Sequence, residues 1–173
     1  MDNVVIVDGL RTPFGKLGGT LKEQSSIDLG AFTITELIER NNLEKNDVSH
    51  VFMGHVLPTD GMTATRQAVL RANMPIETIS LTFDRACCSA MTAIGTLRQN
   101  IMLGECEIGI AGGMENMSQT PYLIPQLRWG QRLGDVELQD PLVLRNEYLQ
   151  EPRVIYVGQS AIEHGVGREI QDE

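Results

Sequence analysis

The sequence predicts an α/β fold, with a mostly parallel sheet covered by helices. Two observations carry this. Short apolar, β-branched runs alternate with amphipathic stretches of helical length, and glycine, proline or asparagine punctuates the boundaries between them. Parallel strands need crossover connections of a dozen or more residues, which the intervening stretches supply. The 173 residues suffice for one domain with a sizeable core, or for a core plus an appendage. With 42% hydrophobic and 21% charged residues, the chain should fold as a soluble globular protein.

The elements follow in order. Val4-Val5-Ile6-Val7 is continuously apolar and β-branched, as expected of a strand buried on both faces. Arg11 to Lys16 with Gly18-Gly19 then forms a loop whose glycine spacing matches neither the dinucleotide-binding nor the P-loop pattern. Ser26 can cap a helix carrying Ile27, Leu29, Ala31, Phe32, Ile34, Leu37 and Ile38, which ends near Asn41-Asn42. His50 to Leu57 reads as a strand closed by Pro58. Its two histidines, five residues apart, fall on opposite faces with no third ligand, so a structural or surface role is expected rather than metal binding. Thr63 to Asn73 reads as a second helix with Ala68, Val69 and Ala72 inward.

Thr78 to Phe83 alternates apolar and hydroxyl side chains, the period of a strand. Ala90, Met91, Ile94, Leu97, Ile101 and Met102 then recur at helical spacing until Gly104. Asp84-Arg85-Ala86-Cys87-Cys88-Ser89 lies between them, at a strand-to-helix turn. There the free backbone N–H groups and the positive end of the helix dipole favour a thiolate and could hold an oxyanion. Cysteine is also among the most frequently buried residue types, so two neighbours in an apolar segment can equally be packing. Ile108 to Ala111 resumes a strand and runs into Gly112-Gly113. Ligands of open parallel sheets sit at the carboxyl ends of strands, where Cys87 falls.

From Gln119 onward the pattern changes. Pro121, Pro125, Pro141 and Pro152 punctuate a polar stretch that holds Trp129, Arg128, Arg132 and Arg145. It reads as an excursion from the sheet, with one short helix beginning at Gln159 to Glu163. The division is thus 1-118 for the α/β core and 119-173 for the excursion.

Charge and cysteine usage narrow the function. A net charge of −9 argues against nucleic acid or an anionic membrane as partner, since both select a basic face. No apolar run reaches the roughly 18 residues that a membrane span requires, and Met1-Asp2-Asn3 opens no recognisable signal or transit peptide. Three cysteines, two of them adjacent, argue against a disulfide framework and for a reducing, cytoplasmic compartment.

Several segments carry a family pattern together. Arg85-Ala86-Cys87-Cys88-Ser89 resembles the nucleophile signature of the thiolase family, the acyl-CoA acyltransferases that make or cleave 3-oxoacyl-CoA thioesters. Arg11-Thr12-Pro13-Phe14-Gly15-Lys16 is similar to that family's opening loop, and Thr65-Arg66-Gln67 to its Ala-Arg-Gln. Gly112-Gly113-Met114-Glu115-Asn116-Met117-Ser118 with Pro121-Tyr122 is similar to the turn after the strand that follows the nucleophile helix, and Arg128-Trp129-Gly130 with Gly134-Asp135 continues into the family's loop domain. The likeness covers nearly the whole chain and matches the amino-terminal half of the family.

The resemblance implies a thiolase-like amino-terminal domain over 1-118 and the beginning of a truncated loop domain over 119-173. It implies Cys87 as catalytic nucleophile, with Cys88 and Cys106 left as packing, and leaves the substrate-binding residues unassigned. It calls for no cofactor or metal, only a coenzyme A thioester as substrate. The intact family implies a homo-oligomer. Asp84 stands where the family usually has Asn, and its carboxylate would oppose a thiolate. Ala90 stands where the family has Gly, and Tyr156-Val157 where some members have a His-Met pair. No Gly-His-Pro motif and no second cysteine in a glycine-rich turn is present, and His50, His55 and His164 match no family motif. The expectation is therefore a half-site that needs a complementary carboxy-terminal chain, or else a non-catalytic fragment.

Overall fold

The computed structural model describes residues 4–57, 61–143 and 151–173. They form two compact units, Met1–Thr120 and Pro121–Glu173. The first is a three-layer α/β unit. Its strands are β1 (Val48–Gly54), β2 (Ile79–Phe83) and β3 (Ile108–Gly113), in the order β2-β1-β3 with both pairings parallel. Its helices are α1 (Ser26–Arg40), α2 (Ala64–Arg71) and α3 (Ser89–Met102).

The central strand β1 is covered on both faces, as its apolar run demands. Val51 and Met53 point into a core with Ile27 and Ile34 of α1 and Ala68 and Val69 of α2. Phe52 points the other way, into a smaller core with Ala93 and Leu97 of α3 and Cys106. Strand alternation thus divides two helical layers between successive residues. Burying a side chain of this size contributes roughly 1.5–3 kcal/mol, and both Val51 and Phe52 are fully buried.

Helix α1 is capped by Ser25, one residue before the expected Ser26. The Ser25 Oγ accepts the Asp28 N–H at 3.0 Å and donates to Asp28 Oδ2 at 2.6 Å. Ser26 is instead buried at the first helical position. The Ser25 hydroxyl first, and the Arg71 guanidinium second, hold the Asp28 carboxyl below its ordinary 3.8. Helix α2 is shorter than its pattern suggested, and Ala68, Val69 and Ala72 are inward as expected. On α3, Leu97 is buried but Met91 and Ile94 are exposed, because the inward stripe runs through Ala93. Pro58 and Arg145 lie outside the described residues.

Two expectations need correction. Val4 to Val7 forms no strand and is not buried: Val5, Ile6 and Val7 are 70%, 85% and 83% exposed. Among the described residues no strand runs beside this segment, and an extended run becomes a sheet element only when a neighbour takes its backbone N–H and C=O groups. Asp8 fastens the segment instead, accepting from Asn41 Nδ2 at 2.9 Å and pairing with Arg40 at 3.2 Å. In the second unit, the helical content exceeds what the proline-punctuated pattern suggested. Arg153–Glu163 forms α4, starting six residues before the expected Gln159, and Arg168–Asp172 forms α5. Pro152 as N-cap explains the start, since proline is well placed where no intrahelical N–H is needed.

The end of β1 abuts the start of α3. A Cβ on Gly54 would lie 2.7 Å from both the Ala90 nitrogen and Ser89 Cβ. Gly54→Ala should therefore push strand and helix apart and destabilise the chain by about 1–3 kcal/mol, read as a lower urea midpoint at unchanged slope. Because the Asp28 carboxyl is depressed, its contribution is present above pH 3.8 and lost as pH falls through its lower folded-state value. The gap in unfolding free energy between the natural chain and Asp28→Asn should therefore close in acid below pH 3.8; a gap independent of pH would contradict the assignment.

Candidate functional site

Strand β2 ends at Phe83 and α3 begins at Ser89, so five residues reverse the chain. Asp84 Oδ1 accepts the Ala86 N–H at 3.1 Å. An asparagine oxygen would make the same bond, so the departure at this position leaves the turn geometry intact. Ala86 then takes a left-handed backbone, φ 49°, a conformation that costs an L-residue roughly 1–3 kcal/mol. The Arg85 carbonyl accepts the Cys88 N–H at 3.1 Å and the Ala86 carbonyl accepts the Ser89 N–H at 3.1 Å.

Ser89 closes the turn. Its buried hydroxyl accepts the Arg85 N–H at 2.8 Å and donates to the Ala86 carbonyl at 2.6 Å. With Cys88 as N-cap and no side-chain cap present, the first-turn N–H groups of Ala90 and Met91 have no intrahelical acceptor. They leave the positive end of α3 available to an anion.

Cys87 sits on this elbow and is exposed. It borders a cavity of about 620 Å³ formed by the 10–17 loop, α1, the end of β3 and the glycine-rich turn after it. Cys88, expected to pack, is also exposed. It borders a separate shallow groove with Arg85, Met91 and Thr92. Only Cys106 is buried, where loss of solvation and then the neighbouring Glu105 push its thiol up from 9.0. The three thiols thus occupy three environments, and Cys87 alone faces the large cavity.

The elbow is seated on backbone. Gly54 approaches Ser89 and Ala90, and a Cβ on Gly113 would lie 3.2 Å from Ala90 Cβ. Ala90 fits in place of the family's usual glycine because both strand ends facing it lack a side chain. The strand ends are themselves tied together. Met114 N–H donates to the Gly54 carbonyl at 3.0 Å, and His55 N–H to the Phe83 carbonyl at 3.0 Å.

His55 is buried, with Nδ1 3.1 Å from Glu115 Oε1 and 3.2 Å from the Met114 carbonyl. Glu115 Oε2 accepts the N–H of Val56 at 2.8 Å and of Leu57 at 3.3 Å. Sequence reasoning placed His55 and Glu115 in separate segments and missed this pairing, since nothing local links residues 60 apart. His50 is buried on β1, its ring edge-on to Phe52 at 5.7 Å and Nδ1 2.9 Å from Ser49 Oγ. Both histidines serve packing and strand closure. Among the described residues lining the cavity there is no histidine, and among the described residues no group of three or more potential metal ligands gathers. No helix among the described residues is long and apolar enough to cross a membrane.

Comparison with known proteins agrees with this architecture. The family model for the thiolase amino-terminal domain matches residues 4–173. The acetyl-CoA acetyltransferase of Cupriavidus necator is 38% identical over 177 residues, covering 100% of this chain and 45% of that protein. The acetyl-CoA acetyltransferase of Escherichia coli is 37% identical over 179 residues, again with 100% and 45% covered. The crystal structure of human mitochondrial 3-ketoacyl-CoA thiolase superposes with a TM-score of 0.86 at 35% identity, over 92% of this chain and 42% of that one. The chain spans less than half the length of the relatives it matches. Their shared sequence, the matching fold and the cysteine elbow at the start of α3 lead to one conclusion: this chain belongs to the thiolase family, whose amino-terminal domain it matches.

Proposed function

We propose that this chain carries the nucleophilic half of a thiolase-type acyl-CoA acyltransferase site, with Cys87 as the acyl acceptor. The observation that supports this most directly is the placement of Cys87: exposed, on a strained elbow at the uncapped start of α3, bordering a cavity of about 620 Å³. The Cys87 thiolate attacks the carbonyl carbon of an acyl-CoA thioester. Its sulfur bonds to that carbon, the bond to the coenzyme A sulfur breaks, and coenzyme A leaves as its thiolate, which takes up a proton from solvent. The Cys87 N–H and the start of α3 stabilise the oxyanion formed on the way. In the second step acetyl-CoA loses an α-proton to a base, its carbanion attacks the acyl carbon, and Cys87 is released as thiolate. Reversed, the sequence is thiolytic cleavage of a 3-oxoacyl-CoA. The three free cysteines suit a reducing, cytoplasmic setting.

The second step needs a general base beside the acyl group. The described residues lining the cavity include no histidine, and the chain spans under half the length of its relatives. We therefore assign the base to a complementary carboxy-terminal polypeptide, whether continuous with this chain or separate, and the assembled protein is a homo-oligomer.

Three outcomes test this. Under limiting iodoacetamide, peptide mapping should find Cys87 alkylated first and buried Cys106 last. Acetyl-CoA should leave a hydroxylamine-labile acetyl group on the same peptide, absent in Cys87→Ser. First labelling at Cys88 overturns the assignment. Cleavage of acetoacetyl-CoA by the purified 173-residue chain should be negligible, and turnover at the rate of an intact relative would overturn the need for a second half.

A further inference from the structure

We propose, resting on Cys87 as the acyl acceptor, that Glu115 is a positioning residue for the cysteine elbow and holds it through His55 and the two peptide groups that follow. Beyond Gly54 the ladder of β1 ends, so the next three backbone N–H groups need other acceptors. His55 N–H donates to the Phe83 carbonyl at 3.0 Å, and the N–H groups of Val56 and Leu57 both donate to Glu115 Oε2, at 2.8 and 3.3 Å. Glu115 Oε1 stands 3.1 Å from His55 Nδ1, which also lies 3.2 Å from the Met114 carbonyl. A carboxylate and a carbonyl oxygen are both acceptors, so Nδ1 carries the ring proton. One carboxylate thus gathers a donor from each of three consecutive residues, and its charge makes such bonds stronger than neutral ones.

The residues so gathered support the elbow at two points. His55 grips Phe83, the residue immediately before Asp84. Gly54, beside His55, approaches Ser89 so closely that a Cβ would lie 2.7 Å from Ser89 Cβ, and Ser89 in turn holds Arg85 and Ala86. A left-handed alanine such as Ala86, φ 49°, persists only where its surroundings over-determine it. The bonds within the elbow shape that conformation, and the strand ends keep it from relaxing. Glu115 borders the cavity beside Cys87, yet both its oxygens are committed to residues 55–57, which makes it a brace and not the base of the second step. Its effect on the thiol passes through Gly54 and Phe83.

The experiment compares the full 173-residue chain with Glu115→Ala, Glu115→Gln and the double variant Glu115→Ala with Ala86→Gly. Glu115→Ala should speed amide exchange at Cys88 and Ser89 about tenfold and slow alkylation of Cys87 by limiting iodoacetamide about threefold. Loss of a carboxylate that acted only by its charge would instead favour the thiolate and speed that reaction. Glycine has no penalty at positive φ, so adding Ala86→Gly should return both readings to within about twofold of the natural chain. Glu115→Gln keeps an oxygen for Val56 and Leu57 and should shift both readings in the same directions by less; it carries the test if Glu115→Ala does not fold. A lower melting temperature with both readings unchanged reduces Glu115 to a structural role and overturns the proposal. So does faster alkylation, or failure of Ala86→Gly to restore the readings. First labelling at Cys88 in the natural chain would end the role of Cys87 and leave the amide results standing, so the two readings fail separately.

Discussion

Ser89 commits both capacities of one hydroxyl to the turn before it, and the geometry of the cysteine elbow depends on that choice. Accepting from Arg85 and donating to Ala86 fixes the two peptide groups that flank the left-handed residue. A serine at the start of a helix ordinarily turns back to cap a free N–H of its own first turn. Here it does not, so the turn is braced and the helix start stays uncapped. The same side chain that stores strain at Ala86 leaves electrostatic capacity at Ala90 and Met91. The close seating of α3 on Gly54 and Gly113 keeps this arrangement in a fixed position relative to β1 and β3.

Much of this was legible in the sequence, for physical reasons. Helix α1 announces itself through apolar periodicity, and β1 through the consecutive apolar residues Val51, Phe52 and Met53, all buried because both faces of the strand are covered. The strand-to-helix change around Cys87 is likewise local, since it needs only the switch from a period of two to one of 3.6. What escaped was non-local. The His55–Glu115 contact joins segments 60 residues apart, and Cys88 reads as packing until its side chain is seen to face a groove. The cap of α1 moved by one residue because adjacent serines at 25 and 26 present the same chemistry, and only tertiary burial of Ser26 distinguishes them.

The run at Val4 to Val7 failed in an informative way. Its composition is that of a buried strand, yet the run is exposed and no strand pairs with it among the described residues. Sequence can state that a segment is suited to a sheet, but pairing belongs to whichever chain supplies the adjacent edge.

The elbow itself has a different character. The hydrogen bonds that shape its backbone, between Asp84 and Ala86, Arg85 and Cys88, Ala86 and Ser89, and Arg85 and Ser89, join residues four or fewer apart. Closing such short loops takes little chain entropy and proceeds on the nanosecond scale, well before distant segments meet. The setting of Cys87 is therefore shaped by local contacts, which can form before distant segments of the chain meet.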